Sequence, residues 1–386
     1  MILFIIITFF ICLGFISFYL PIYIQKSSNA VYNNPQHKVS EKAMKLHNQL
    51  IVADMHADSL LLNRNLLKKS NIGHIDIPRL VQGNVAIQAF TVVTKAPSNL
   101  NIDRNDSTTD TIKPLAIIQR WPVSTWFSLK ERAVFQAKKL HKIQADADGN
   151  FIILKTHQDL EEFLSKRNTH PHLTAGFLGL EGLHALEGNI NNVDVLYNEG
   201  FRMMGLTHFF DNDISGSLHG IDKGGLTPLG KEVVQRMDKL GIIIDLSHIS
   251  DKAFKEICNL VYGPIVVSHT GVKGVKNNNL NLSDEKIKLI ADKKGVIGIG
   301  FFERATGGTD VNSIIKSINY VVDLVGVDYV CLGSDFDGYV KTSIDCSGMS
   351  MITEALLVQG YTENEIKKIM GENVLRVLKD SFPSRV

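Results

Sequence analysis

Eight short apolar runs with strand character, separated mostly by helical stretches, constrain this chain more than any other feature. They are Leu50–Ala53, Val85–Val93, Ala175–Leu178, Arg202–Leu206, Ile242–Asp245, Ile265–Val267, Val296–Phe301 and Tyr329–Leu332. Several open after a glycine that ends the preceding helix, as in Lys239-Leu240-Gly241 and Lys294-Gly295. Near-continuous apolar strands belong to parallel sheets covered by helices on both faces. Eight of them alternating with helices predict an α/β fold, a (β/α)8 TIM-like barrel rather than an open sheet. Helix starts fit this alternation. Thr227-Pro228 supplies a cap and a first-turn proline for a helix to Leu240, and Ser283-Asp284-Glu285 opens one to Lys294. Thr362 and Glu365 form a capping-box pair ahead of Ile366 and Ile369.

The barrel is expected over residues 38–386, after a polar linker at 27–37. The stretch Asn99 to Leu173 exceeds one crossover and predicts a surface insertion, with its two Trp and a polar Asn101–Asp110 segment on the surface. Before the linker, Ile2 to Gln25 carries no charge and is dominated by Ile, Leu and Phe. Such a run is long enough to cross a bilayer, which predicts a retained anchor at 1–26; a removed signal peptide, cut near Ser28-Asn29-Ala30, is the alternative. Either reading places the remainder on a membrane as an exported domain, or in a secreted or periplasmic state. The net charge of +1 carries no electrostatic footprint for nucleic acid, which is not an expected partner. Cys12, Cys258, Cys331 and Cys346 show no paired spacing, so neither a disulfide framework nor a cysteine metal site is expected.

The chemistry lies at the C-terminal ends of the runs. The first ends in Asp54-Met55-His56-Ala57-Asp58, and residues two apart on an extended chain point the same way. The third ends at Glu181, the fourth at His208, the fifth at His248, the sixth at His269 and the eighth at Asp335. In a (β/α)8 barrel these ends converge on one face. An HxD or a lone buried His is by itself more often structural than metallic. Ligand-type residues at six of eight ends point to metal, and to a barrel of the metal-dependent hydrolase type. His56, Asp58, Glu181, His248 and His269 suit zinc or a similar divalent ion. They are too many for one tetrahedral ion with an open position. They suit two, with His56 and Asp58 on one, His248 and His269 on the other, and Glu181 bridging. Phe301 and Phe302 are placed as an apolar wall of the substrate pocket, Asp54 and Asp245 as groups orienting the imidazoles. His74, Asp76, Arg79 and Asp337 are read as scaffold, and His184 as either pocket lining or a local hydrogen-bond partner.

The segments ADMHAD (53–58), HIDIPRL (74–80), GLEGLHALEG (179–188), GLTH (205–208), GLTPLGKEVVQRMDKLGIIIDLSH (225–248), VVSHTGVKG (266–274) and GSDFDG (333–338) resemble the membrane dipeptidase family of binuclear zinc metallopeptidases. The resemblance runs from about Leu50 to Leu378, in the family's order. It implies a (β/α)8 barrel, two Zn2+ ions per chain, and dipeptide substrates, with β-lactams in some members. It assigns the same five residues to the metals, His208 to the scissile carbonyl and Asp335 to proton transfer. A hydroxide between the two zincs would attack the amide.

One position departs from the family. An Arg that grips the substrate's terminal carboxylate is expected ahead of the helix after the sixth run, and Leu280 stands there instead. Leucine offers no charged fork, and the lost contact is worth about 1.5–3 kcal/mol. Lys273 or Lys276 is the nearest replacement charge. The primary expectation is therefore a zinc dipeptidase. The alternatives are a binuclear hydrolase of another amide or lactam, and an inactive binding protein on the same barrel. Expected partners are a small dipeptide or related amide, the membrane if the N-terminal segment is retained, and a second copy in a homodimer.

Overall fold

Val, Ile, Ala and Phe crowd the strands because both of their faces are covered. In the computed structural model, which describes residues 1, 14, 19–32 and 38–384, nine strands form one parallel sheet. They are β1 (Val52–Asp54), β2 (Val85–Phe90), β3 (Phe151–Ile153), β4 (Thr174–Glu181), β5 (Phe201–Gly205), β6 (Ile243–Asp245), β7 (Ile265–Thr270), β8 (Val296–Ile299) and β9 (Val330–Leu332). Every residue of every strand except Ile152 is buried. The sheet closes where β2 pairs with β4, Ile87 to Phe90 opposite Ala175 to Leu178. Eight strands thus form the expected barrel, and the eight apolar runs of the sequence supply them.

The ninth strand is a correction to the sequence reading, and it comes from the 99–173 stretch. β3 pairs with Thr174 to Gly176 of β4, while β5 pairs further along, from Leu178. Both therefore use the same edge of β4, β3 taking the part that β5 leaves free. The rest of the stretch folds into helices Ile112–Ile118, Leu129–Asp146 and His157–Arg167. Trp121 is a second correction. It is buried against Leu61, Leu62, Val93 and Leu115, because the 99–173 stretch packs onto the barrel mouth rather than standing clear of it. Asn101–Asp110 is mostly exposed.

The predicted helix starts recur in atomic detail. Helix Pro228–Leu240 is capped by Thr227, whose side chain accepts from Gly230 N, and ends at Gly241 in the left-handed region (φ 69°). Ser283 caps Asp284–Asp292, which stops short of Lys294, and Thr362 with Glu365 forms a complete capping box. Inside the barrel one apolar cluster takes a residue from each of its strands, among them Ala53, Ile87, Phe177, Met203, Ile243, Val266, Val296 and Cys331. Val374, Val377 and Leu378 of helix Asn373–Ser381 join it and plug the N-terminal end of the barrel. That leaves the C-terminal end open for chemistry.

The anchor or signal reading of 1–26 falls largely on residues outside those described. Among the described residues, no helix is long and apolar enough to cross a membrane. Residues 19–28 are helical, and the chain then runs onto the barrel. Val31 bridges to Thr342, Tyr32 N donates to Thr342 O at 2.8 Å, and Asn29 Nδ2 donates to Asp337 O at 3.1 Å.

Candidate metal centre

Strand ends bring all the sequence-singled ligand types to one place. His56 and Asp58 follow β1, Glu181 ends β4, His269 is the penultimate residue of β7, and His208, His248 and Asp335 each stand three residues beyond β5, β6 and β9. Their donor atoms fall into three overlapping groups that could hold a metal: His56, Glu181 and His269; Glu181, His208 and His248; His56, Asp58 and Asp335. Glu181 Oε1 is 3.0 Å from His248 Nε2, 3.5 Å from His269 Nε2 and 3.9 Å from His56 Nε2, so it occupies the middle. Asp58 Oδ1 is 3.6 Å and Asp335 Oδ1 4.0 Å from His56 Nε2. Two of these residues hold left-handed backbone, His248 (φ 62°) and Asp335 (φ 62°). Such a conformation costs about 1–3 kcal/mol in a non-glycine residue, and here it turns the side chain back over the barrel.

Hydrogen bonding behind the imidazoles determines which nitrogen each presents. His219 Nδ1 lies 2.7 Å from the carbonyl of Ile102, which can only accept. His219 therefore donates there, and its Nε2 accepts from His248 Nδ1 at 3.0 Å. His248 Nε2 is left with a bare lone pair. A second chain ends at a carboxylate. Ser247 Oγ donates to Asp245 Oδ1 at 2.8 Å, and Ser268 Oγ stands 3.2 Å from Ser247 Oγ. With its own hydrogen directed to Ser247, Ser268 Oγ accepts from both His56 Nδ1 (2.9 Å) and His269 Nδ1 (3.0 Å). Those two imidazoles also keep bare Nε2 atoms.

Three lone pairs thus converge on a buried carboxylate, with His248 Nε2 and His269 Nε2 only 2.9 Å apart. Among the described residues His56 Nε2 has no hydrogen-bond partner within 3.5 Å. Two bare nitrogens at that separation repel unless a cation lies on them, so the donor set fits metal. At His56 a proton competes with a metal for the Nε2 lone pair. Burial opposes charge on His56, yet the Asp58 carboxylate beside it and the fields of Glu181 and Asp335 draw its pKa up to about 10. Burial lowers His248 and His208 to about 4 and His269 well below its ordinary range. Burial, with Asp58 and Glu181 nearby, raises Asp335 well above the usual carboxylate range.

A cavity of about 900 Å³ opens over the cluster. Asp58, Glu181, His208, His248, His269 and Asp335 line it, as do Leu280 and Phe302, while Phe301 is buried elsewhere against Phe336. Lys276 stands at this wall and Lys273 does not; Arg304 and Lys341 are there too, unforeseen from sequence.

Against this geometry, the family profile described as membrane dipeptidase (peptidase family M19) matches residues 40–382. The chain belongs to the membrane dipeptidase family. It is thus a hydrolase of the metallopeptidase class. Dipeptidase tcpJ of Claviceps purpurea (strain 20.1) is 28% identical over 331 residues, covering 81% of this chain and 70% of that protein. Dipeptidase aclJ of Aspergillus oryzae is 26% identical over 322 residues, covering 80% and 70%. Among solved structures, the probable dipeptidase PvdM from Pseudomonas aeruginosa superposes with a TM-score of 0.74 at 21% identity, covering 88% of this chain and 98% of its own. A metallopeptidase from Rhodobacter sphaeroides, solved with a phosphinate mimic of the dipeptide L-Ala-D-Ala, gives 0.70 at 22%, covering 86% and 99%. At that identity these two structures speak for the fold.

Within the family barrel, the remaining sequence candidates separate cleanly. Asp76 caps helix Ile77–Gln82 and pairs with Arg79, and Asp337 accepts from Ser59 Oγ, His74 N and Arg64 Nη2. His184 binds Thr94 Oγ1 at 2.9 Å and does not line the cavity. Asp245 serves the imidazoles through the two serines, whereas Asp54 holds Ser334, ahead of Asp335. His219, Ser247 and Ser268 were missed by the sequence reading. The local signals are Ser247 beside His248 and Ser268 beside His269.

Proposed function

We propose that the chain hydrolyses the amide bond of dipeptides with two zinc ions, held by His56 and Asp58, by His248 and His269, and jointly by Glu181. The convergence of three Nε2 atoms on the Glu181 carboxylate carries this reading, since these are the donor types that hold a divalent cation. Zinc in such a site supplies Lewis acidity and a water acidic enough to lose its proton near neutral pH. Asp335, raised by burial, takes a proton at Oδ1 from the attacking water and delivers it to the leaving nitrogen. His208, kept neutral by burial, donates from one ring nitrogen to the amide oxygen. Leu280 favours a second reading in which the substrate is an amide without a free carboxylate at that wall. The uncharged run before Lys26 supports an exported domain that retains this segment, since a cut near Ser28 would remove Leu20 and Ile24 from the cavity wall.

The test is turnover of a dipeptide before and after chelation. Activity should vanish with the metal and return with zinc, and Asp335→Asn should keep its zinc yet lose about 10²–10⁴ in kcat. Full activity in the metal-stripped chain would overturn the reading, and unchanged kcat in Asp335→Asn would remove that residue from it.

A further inference from the structure

The buried polar side chains on the cavity wall are all members of the metal cluster. Away from the cluster the buried wall is apolar. Leu280, Phe302 and Ala305 pack together, with Val340 against them. Ile112 and Leu115 of the 99–173 stretch add a second apolar side. The chain's N-terminal helix adds a third, through Leu20 and Ile24. This arm belongs to the wall, because Tyr32 and Val31 bond to Thr342, two residues from Val340. The cations Lys276, Arg304 and Lys341 also face the cavity but are exposed, at its rim. A carboxylate set against Leu280 would lose its water with no buried cation beside it, whereas an apolar group would be buried there at a gain.

We infer that the substrates carry a large apolar group beside the scissile amide, received by the Leu280–Phe302–Val340 wall and completed by residues 20–32. The inference rests on the amide hydrolysis proposed above and specifies its substrate class. A cavity of about 900 Å³ has room for such a group, being at the upper end of ordinary small-molecule sites.

The test uses the full chain with zinc restored and two dipeptide series, Gly-X and X-Gly. X is alanine, norvaline, norleucine or 2-aminooctanoic acid. In one series kcat/KM should rise about two- to fourfold per added methylene. Leu280→Arg should flatten that series. Leu20→Asp with Ile24→Asp should cut kcat/KM for the longest member more than for the alanine member. Hydrolysis of Gly-Ala and Ala-Gly with both series flat or falling overturns this inference alone. An unchanged slope in the Leu20/Ile24 variant removes the arm from the wall. If no dipeptide of either series is hydrolysed, the peptidase reading falls and this inference with it.

Discussion

Ser268 has one hydrogen and two lone pairs, and that inventory orients two metal-facing imidazoles at once. With its hydrogen on Ser247, and so linked to Asp245, it accepts from the Nδ1 of both His56 and His269. Removing the hydroxyl frees both rings to turn or to exchange tautomers. Ser268→Ala is therefore expected to weaken zinc binding about 10- to 100-fold while far-UV circular dichroism stays unchanged, and Ser268→Thr should recover part of the loss. Competition against a chelating dye measures it, and equal affinity in the alanine variant would sink the relay. The ligands themselves were legible because His, Asp and Glu are uncommon at buried strand ends. The relay was not, since Ser247 and Ser268 lie on neighbouring segments and a serine carries no signature of its own.

Helix Glu41–His47 shows how an element is tied down by one neutral side chain. Buried His47 places Nε2 2.9 Å from the Gly83 carbonyl and Nδ1 2.9 Å from Thr353 Oγ1, joining this helix to helices Ile77–Gln82 and Ser350–Val358. Gly83 O only accepts, so Nε2 donates and Nδ1 takes the threonine hydrogen. Burial lowers the His47 pKa from its ordinary 6.5, outweighing the Gly83 bond, which pulls the other way. A depressed folded pKa means a stabilising contribution that is whole above the unfolded value. It is lost as pH falls from there towards the folded one. The stability advantage of the native chain over His47→Gln should accordingly shrink between pH 7 and pH 5, read from paired denaturant melts. A constant or widening gap would contradict it. At this scale helix caps were plain in the sequence, because Thr227, Ser283 and Thr362 act on backbone three residues away. β3 was hidden because it forms only where β4 has a free edge.

The whole molecule depends on two closures of the barrel: β2 against β4 around its wall, and the C-terminal helices across its floor. Gly371, just ahead of helix Asn373–Ser381, passes so near Ile51 O that a Cβ there would collide with backbone. Gly371→Ala should thus cost about 1–3 kcal/mol, seen as a lower urea midpoint, with the metal cluster's affinity for zinc retained. An unshifted midpoint would show that the floor can yield. The sequence by itself determined the barrel, the helix starts and the residues that gather at its mouth. Those follow from local period, from turn chemistry and from which side chains can bind a cation. Only tertiary structure decided which nitrogen each imidazole turns inward, as with His56 and Ser268, 212 residues apart. It also decided that an N-terminal arm, bonded through Asn29 to Asp337 across 308 residues, walls the cavity. Contacts at such separations leave no periodic trace in a chain, so they exist only once the barrel has brought its loops together.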